Sequence, residues 1–201
     1  QMVYYEKIAG DFTLDKRAAG FKNVILVGTG TGLAPFISMA KQLEFEANSG
    51  KSSSVRYTLL HTNRTYEELD YYQDLLDIEA AQRFDFVYVP SVSRPTQRDW
   101  DDPKLGRGRA NNMLRYLLGM PLKEEQDLQQ IMTSGGDAAK ARALLEKTVK
   151  PALPKHMTLE TLRDRMDPTT SVVITCGNPW SMEDIKYAAE TTGMRFEKED
   201  W

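Results

Sequence analysis

The chemistry of this chain is concentrated in Val24-Ile25-Leu26-Val27-Gly28-Thr29-Gly30-Thr31-Gly32-Leu33-Ala34-Pro35-Phe36. The apolar run reads as a buried strand, the glycines as a turn, and Pro35 lies near a first helical position, where its missing N–H does no harm. Alternating glycines let the backbone come close to an anion. Thr29 and Thr31 add hydroxyl donors, and a helix start offers unpaired N–H groups. Gly28, Thr29, Gly30, Thr31, Gly32 and Pro35 are therefore candidate pyrophosphate-binding residues. A glycine-rich turn can also be only a tight strand-to-helix connection, but three glycines with two threonines favour the phosphate reading. The spacing is not the G-x-G-x-x-G of the commonest dinucleotide fold. Ser49-Gly50-Lys51-Ser52 looks like the tail of a P-loop. Its required first glycine is Phe45, and the segment precedes a strand, so a nucleotide-kinase or ATPase reading fails.

Two further stretches have the right residue types. Ser93 and Arg94 follow the apolar run Phe84–Val89, at the strand end where ligands of open α/β sheets bind. From Arg94 to Arg115 six basic residues, Arg107 and Arg109 among them, face three acidic ones, a local +3 in a chain of net charge -3. A solvated loop would explain this equally simply. Beside a dinucleotide site, however, a guanidinium and a hydroxyl suit an extra phosphate, which favours NADP over NAD. Thr175-Cys176-Gly177-Asn178-Pro179 ends another apolar run. Cys176 is there either a small apolar filler or part of a rim where a flat ring lies, with Gly177 leaving it room. The terminal Trp201 either frays or stacks on an aromatic system such as a flavin ring.

These motifs need a scaffold, and the hydrophobic pattern supplies one. Val24–Val27, Val55–Leu60, Phe84–Val89 and Val172–Thr175 are short, nearly continuous apolar runs, as in parallel strands covered on both faces, and Met194–Glu197 alternates like an edge strand. Helices are expected at Ala34–Ala47, Thr65–Ala81, Arg109–Leu118 and Ser181–Thr191. Thr65 and Glu68 form an expected capping box, and Gly193 an expected stop. The pattern predicts an α/β fold: an open parallel five-stranded sheet with helices on both faces. Residues 119–170 break the rhythm, with helix-forming stretches at Leu122–Met132 and Asp137–Val149, and read as a helical insertion that serves mainly as a cap.

Composition sets the outer bounds. The 201 residues are 41% hydrophobic and 27% charged, which suits a folded globular chain, and no apolar run is long enough to span a bilayer. Mild acidity gives no reason to expect nucleic acid. One cysteine and two histidines are too few for a structural metal centre and point to a reducing, cytoplasmic setting. The start, Gln1-Met2-Val3-Tyr4-Tyr5, has no signal-peptide character and suggests a fragment of a longer polypeptide.

Taken together, the glycine-rich turn, His61…Arg64-Thr65-Tyr66-Glu67-Glu68-Leu69, Val92-Ser93-Arg94, Cys176-Gly177-Asn178-Pro179 and Trp201 resemble the NADP-binding half of the ferredoxin/flavodoxin–NADP reductase family, bacterial type. Gly10-Asp11-Phe12-Thr13-Leu14 is similar to the segment where that family's flavin barrel hands over to the nucleotide domain. The resemblance implies that residues 1–20 are the tail of, or linker from, an FAD-binding domain of the same polypeptide, and that 21–201 are a Rossmann-like NADP-binding domain. It implies hydride transfer between NADPH and FAD, and electron exchange with ferredoxin or flavodoxin. Gly28 to Gly32 and Pro35 would hold the pyrophosphate, and Ser93 and Arg94, with Arg107 or Arg109, the 2′-phosphate. Cys176, in the catalytic position, would lie with Gly177, Asn178 and Pro179 near the nicotinamide, and Trp201 would stack on the flavin. The family's Arg-x-Tyr-Ser flavin motif does not occur in this sequence, and Met182 stands one position later after Pro179 than is usual. A different class of reading is a non-catalytic nucleotide-binding or partner-docking module, which would bind nucleotide without diaphorase activity.

Overall fold

The computed structural model describes residues 10–199. Six strands form one parallel sheet: β1 (Asn23–Thr29), β2 (Arg56–Asn63), β3 (Phe86–Val92), β4 (Gly106–Arg107), β5 (Ser171–Cys176) and β6 (Arg195–Lys198). Their order is β4-β3-β2-β1-β5-β6. Five are the expected strands. The sixth, β4, is a two-residue strand in the basic stretch, too short to leave a hydrophobic signature, and it joins by register with Ser91 and Val92. In β1, Val24 to Val27 are at most 1% exposed, since layers of helices cover both faces.

One layer contains α1 (Leu14–Arg17), α2 (Ala34–Asn48) and α3 (Tyr72–Ala81), closing over Val24, Leu26, Leu59, Tyr88 and Ile174. The other contains α5 (Ala110–Leu117), α8 (Leu159–Arg163) and α9 (Pro179–Thr191), closing over Ile25, Val27, Leu60, Val89 and Val173. Short α4 (Gln97–Asp101) links β3 to β4. The alternation of these partners along β1 is the period-2 projection of a strand. No helix among the described residues is long and apolar enough to cross a membrane.

Local signals decide the element ends. Asn178 caps α9 by accepting from the N–H groups of Trp180 (3.0 Å) and Ser181 (3.3 Å), and Pro179 occupies its first turn. At the other end Gly193, at φ +84°, lets Met194 N–H reach Ala189 C=O at 2.9 Å and its own N–H reach Glu190 C=O at 3.0 Å, a Schellman closure. The helix expected over Thr65–Ala81 is instead a 3₁₀ turn at Tyr66–Glu68, a left-handed Tyr71 (φ 58°) and then α3. Glu68 binds the Arg64 guanidinium (2.7 Å) and backbone N–H (3.3 Å), so it is not free to complete a box with Thr65. The capping box forms at Thr96 and Asp99, starting α4.

The insertion holds α6 (Lys123–Thr133), α7 (Ala139–Lys147) and α8. Its return segment pairs Ala152 with Arg107 through N–H···O=C bonds of 2.8 and 2.9 Å, covering the edge that β4 would otherwise expose. Its first turn is tied to the sheet layer by Arg115, whose side chain is 1% exposed. That guanidinium donates to both Asp184 oxygens (2.8 and 2.5 Å), to Pro121 C=O (3.0 Å) and to Gln126 Oε1 (2.8 Å). Removing one partner of such a buried pair leaves the other charge without compensation, which costs about 3–5 kcal/mol. Asp184→Ala is expected to lower stability by about 3 kcal/mol or more, read as a drop in the urea midpoint. A surface-like change of under about 0.5 kcal/mol would contradict the brace.

Candidate functional site

The chain leaves β1 in one direction along the sheet and β5 in the other, so a crevice opens at the carboxyl ends of these two neighbouring strands. The turns after them are interlocked. A Cβ on Gly32 would lie 2.2 Å from Cys176 C=O, and one on Gly177, at φ +133°, would lie 2.1 Å from Thr29 Oγ1. Asn178 N–H donates to that same Thr29 Oγ1 at 3.0 Å. Gly28 lies under Phe36, and Pro35 begins α2 after the 3₁₀ turn Gly30–Leu33.

A cavity of about 860 Å³ fills this crevice, within the size range of cofactor sites. Thr29, Gly30 and Thr31 form its floor, with Gly177, Asn178, Trp180, Ser181 and Asp184 on the α9 side. Thr62, Asn63, Arg64 and Ser93 come from the ends of β2 and β3, and Arg109, Ala110 and Asn111 from the start of α5. Lys123, Glu124 and Asp127 of α6, with Leu144 of α7, complete the wall, so the insertion is more than a distant cap.

Of the residues singled out from sequence, Thr29, Gly30, Thr31, Ser93, Arg109, Gly177 and Asn178 meet in this cavity. Gly28, Gly32, Pro35 and Pro179 shape its turns from behind. Arg94 is exposed beside it, its N–H donating to Arg64 C=O at 2.8 Å. Arg107 stacks its guanidinium on Trp100 at 4.2 Å and is not in the lining. Trp201 lies outside the described residues. Arg64, Asn63 and Thr62 could have been found by applying the strand-end rule to β2 as well as β3. The contributions of α6 and α7 had no sequence signal, because nothing in an insertion's pattern says where it folds back.

The electrostatics are locally balanced. Glu124, buried, accepts from Arg109 Nη1 (3.1 Å) and Asn112 Nδ2 (2.7 Å), Lys123 pairs with Asp127, and Asp184 is held by Arg115. An anion entering here meets hydroxyls, main-chain N–H groups and the half-exposed Arg64 and Arg109, not a strong positive field. Cys176 packs into the α2 layer, absent from the crevice lining, and is completely buried. Burial pushes its thiol up to about 11, and the Glu199 carboxylate adds to that. Glu199, not anticipated from sequence, is anchored by its N–H to Thr175 C=O (3.1 Å), and its Oε2 is buried without a hydrogen-bond partner among the described residues. His61, in the same layer, bonds Tyr88 through Nδ1 (2.9 Å), and burial pushes it down to about 4, so it is neutral at physiological pH.

Two expectations follow. Gly177→Ala should disrupt the interlocked turns, lowering stability by roughly 2 kcal/mol or more through strain and overlap; an unchanged thermal midpoint would refute the interlock. Cys176, with so little thiolate at pH 8, should alkylate with iodoacetamide far more slowly in the folded chain than in urea. Equal rates would show that the thiol is accessible and not held protonated by burial.

Residues 26–138, more than half of the chain, match the family model described as oxidoreductase NAD-binding domain. No curated protein matches the sequence. Among solved structures, the flavohemoglobin of Malassezia yamatoensis with bound FAD and heme is similar at TM-score 0.54 and 13% identity, over 94% of this chain and 34% of that one. The CS-b5R domains of human Ncb5or in the NAD+ form are similar at TM-score 0.52 and 14% identity, over 94% of this chain and 39% of the other. The chain thus spans about a third to two fifths of those two. It belongs to the oxidoreductase NAD-binding domain family, on a Rossmann-like open parallel sheet.

Proposed function

We propose that this chain is the NADP(H)-binding domain of an FAD-dependent ferredoxin/flavodoxin–NADP reductase. The observation that carries the choice of cofactor is that Arg64 and Ser93 open into the same cavity as the Thr29–Thr31 turn. Readers of NAD place an acid against the adenosine ribose hydroxyls at the end of the second strand. Here β2 ends in Thr62-Asn63 with Arg64 next, and Glu68 is paired with that arginine. A guanidinium beside a serine hydroxyl suits a 2′-phosphate instead.

The crevice fits the dinucleotide in size and in donor set. Thr29, Gly30 and Thr31 would hold the pyrophosphate, Arg64, Ser93 and Arg94 the 2′-phosphate, and Gly177 and Asn178 would guide the chain of the ligand past the carboxyl end of β5, where Cys176 lies. Bound NADP(H) supplies the hydride chemistry, and the protein's part is to align it and exclude water. FAD would be carried by a domain beyond these residues, and ferredoxin or flavodoxin would exchange electrons with it. That part of the proposal rests on the motif resemblance.

The discriminating experiment is a titration of the chain with NADP+ and NAD+ before and after Arg64→Ala and Arg94→Ala. Losing a charge-assisted phosphate contact should weaken NADP+ by about tenfold or more and NAD+ by less than about twofold. Equal losses for both would remove the 2′-phosphate assignment.

A further inference from the structure

We infer that Trp180 and the α6–α7 hairpin form the adenine subsite of the crevice, with Trp180 the stacking face and Leu144 of the insertion the opposing apolar wall. This rests on the dinucleotide reading above and assigns a role to the part of the chain that the family model does not cover beyond residue 138.

The crevice lining is almost wholly polar or glycine. Among the described residues its large apolar side chains are Trp180, 87% exposed, and Leu144, 47% exposed. Each is therefore an apolar surface left in water at the mouth of a binding cavity. The backbone of Trp180 is fixed: it is in the first turn of α9, with its main-chain N–H bound to Asn178 Oδ1 and Pro179 as the preceding residue. Leu144 is held there although α7 buries no residue in any core. The hairpin's position comes from α6, whose first turn is clasped to α5 by Asn112, which donates to Glu124 (2.7 Å) and accepts from the N–H of Lys123 (2.9 Å).

A dinucleotide carries two flat rings, and the cavity distinguishes them. It contains Arg64 and Ser93, where the adenosine 2′-phosphate would bind, and excludes Cys176 and Glu199. The enclosed half is thus the adenosine half. An indole stacks on a purine with an energy that exceeds simple area burial and requires no base-specific hydrogen bond.

The test uses adenosine 2′,5′-bisphosphate and nicotinamide mononucleotide as separate probes of the full chain. The bisphosphate should quench tryptophan emission, and Trp180→Ala should abolish that quench and weaken bisphosphate and NADP+ binding by roughly tenfold. Leu144→Ala should weaken both by a smaller factor, and nicotinamide mononucleotide binding should be unchanged in either variant. Because both side chains are exposed, the thermal midpoint should not move, and this separates lost binding from lost folding. Parental affinity for NADP+ in Trp180→Ala would overturn the subsite while leaving the dinucleotide reading intact. A parent chain that binds neither NADP+ nor the bisphosphate would overturn both. A loss confined to the mononucleotide would place the indole on the other ring and overturn the assignment.

Discussion

The structure depends on the close contact between two turns at the carboxyl ends of adjacent parallel strands. The backbone after β1 passes so near the backbone after β5 that neither Gly32 nor Gly177 has room for a side chain. Such an approach can form only where the sheet order reverses, since elsewhere each strand's turn leads its helix toward the same side as its neighbour's. Two helix starts, those of α2 and α9, are thereby brought to one place. The start of α9 is closed by Asn178 and Pro179, so the N–H groups that an anion would meet are those of the turn after β1, beside Thr29 and Thr31.

The buried charges serve this geometry more than they serve net stability. Arg115 and Asp184 lie between α5 and α9, and Arg115 also reaches Pro121 and Gln126, so one guanidinium sets the angle of two helices and the entry of the insertion. A pair of this kind gains little over well-packed apolar residues but is highly particular about its partners. At the far end of the sheet Arg165 plays the corresponding part, pairing with Asp85 (2.7 Å) and donating to Thr58 Oγ1 (2.9 Å) and Tyr57 C=O (3.0 Å).

Much of this was legible in the sequence because it is written in local physics. Continuous apolar runs gave the buried strands to within one to three residues at most ends, and Gly193 marked the end of α9 as its φ requires. Val24 to Pro35 declared a strand, a glycine turn and a helix start because the three are consecutive. What failed was non-local. Thr65 and Glu68 have capping-box spacing, but Arg64 takes the carboxylate. Arg107 sits in a basic stretch, yet Trp100 claims its guanidinium. β4 exists only because β3 and the return of the insertion hold it, and the crevice wall of α6 and α7 depends on a fold-back that no periodicity encodes.

The insertion is fastened at its two ends, by Arg115 near the crevice and by Arg165 and the Ala152 bridge on the return, while α7 has no buried residue. Between such clamps the length of the intervening chain enters only through loop-closure entropy, which grows slowly with residue number. The hairpin is therefore a replaceable part in evolutionary terms. The stretch beyond the α6 clamps, α7 above all, can change in sequence and length at little cost to the sheet.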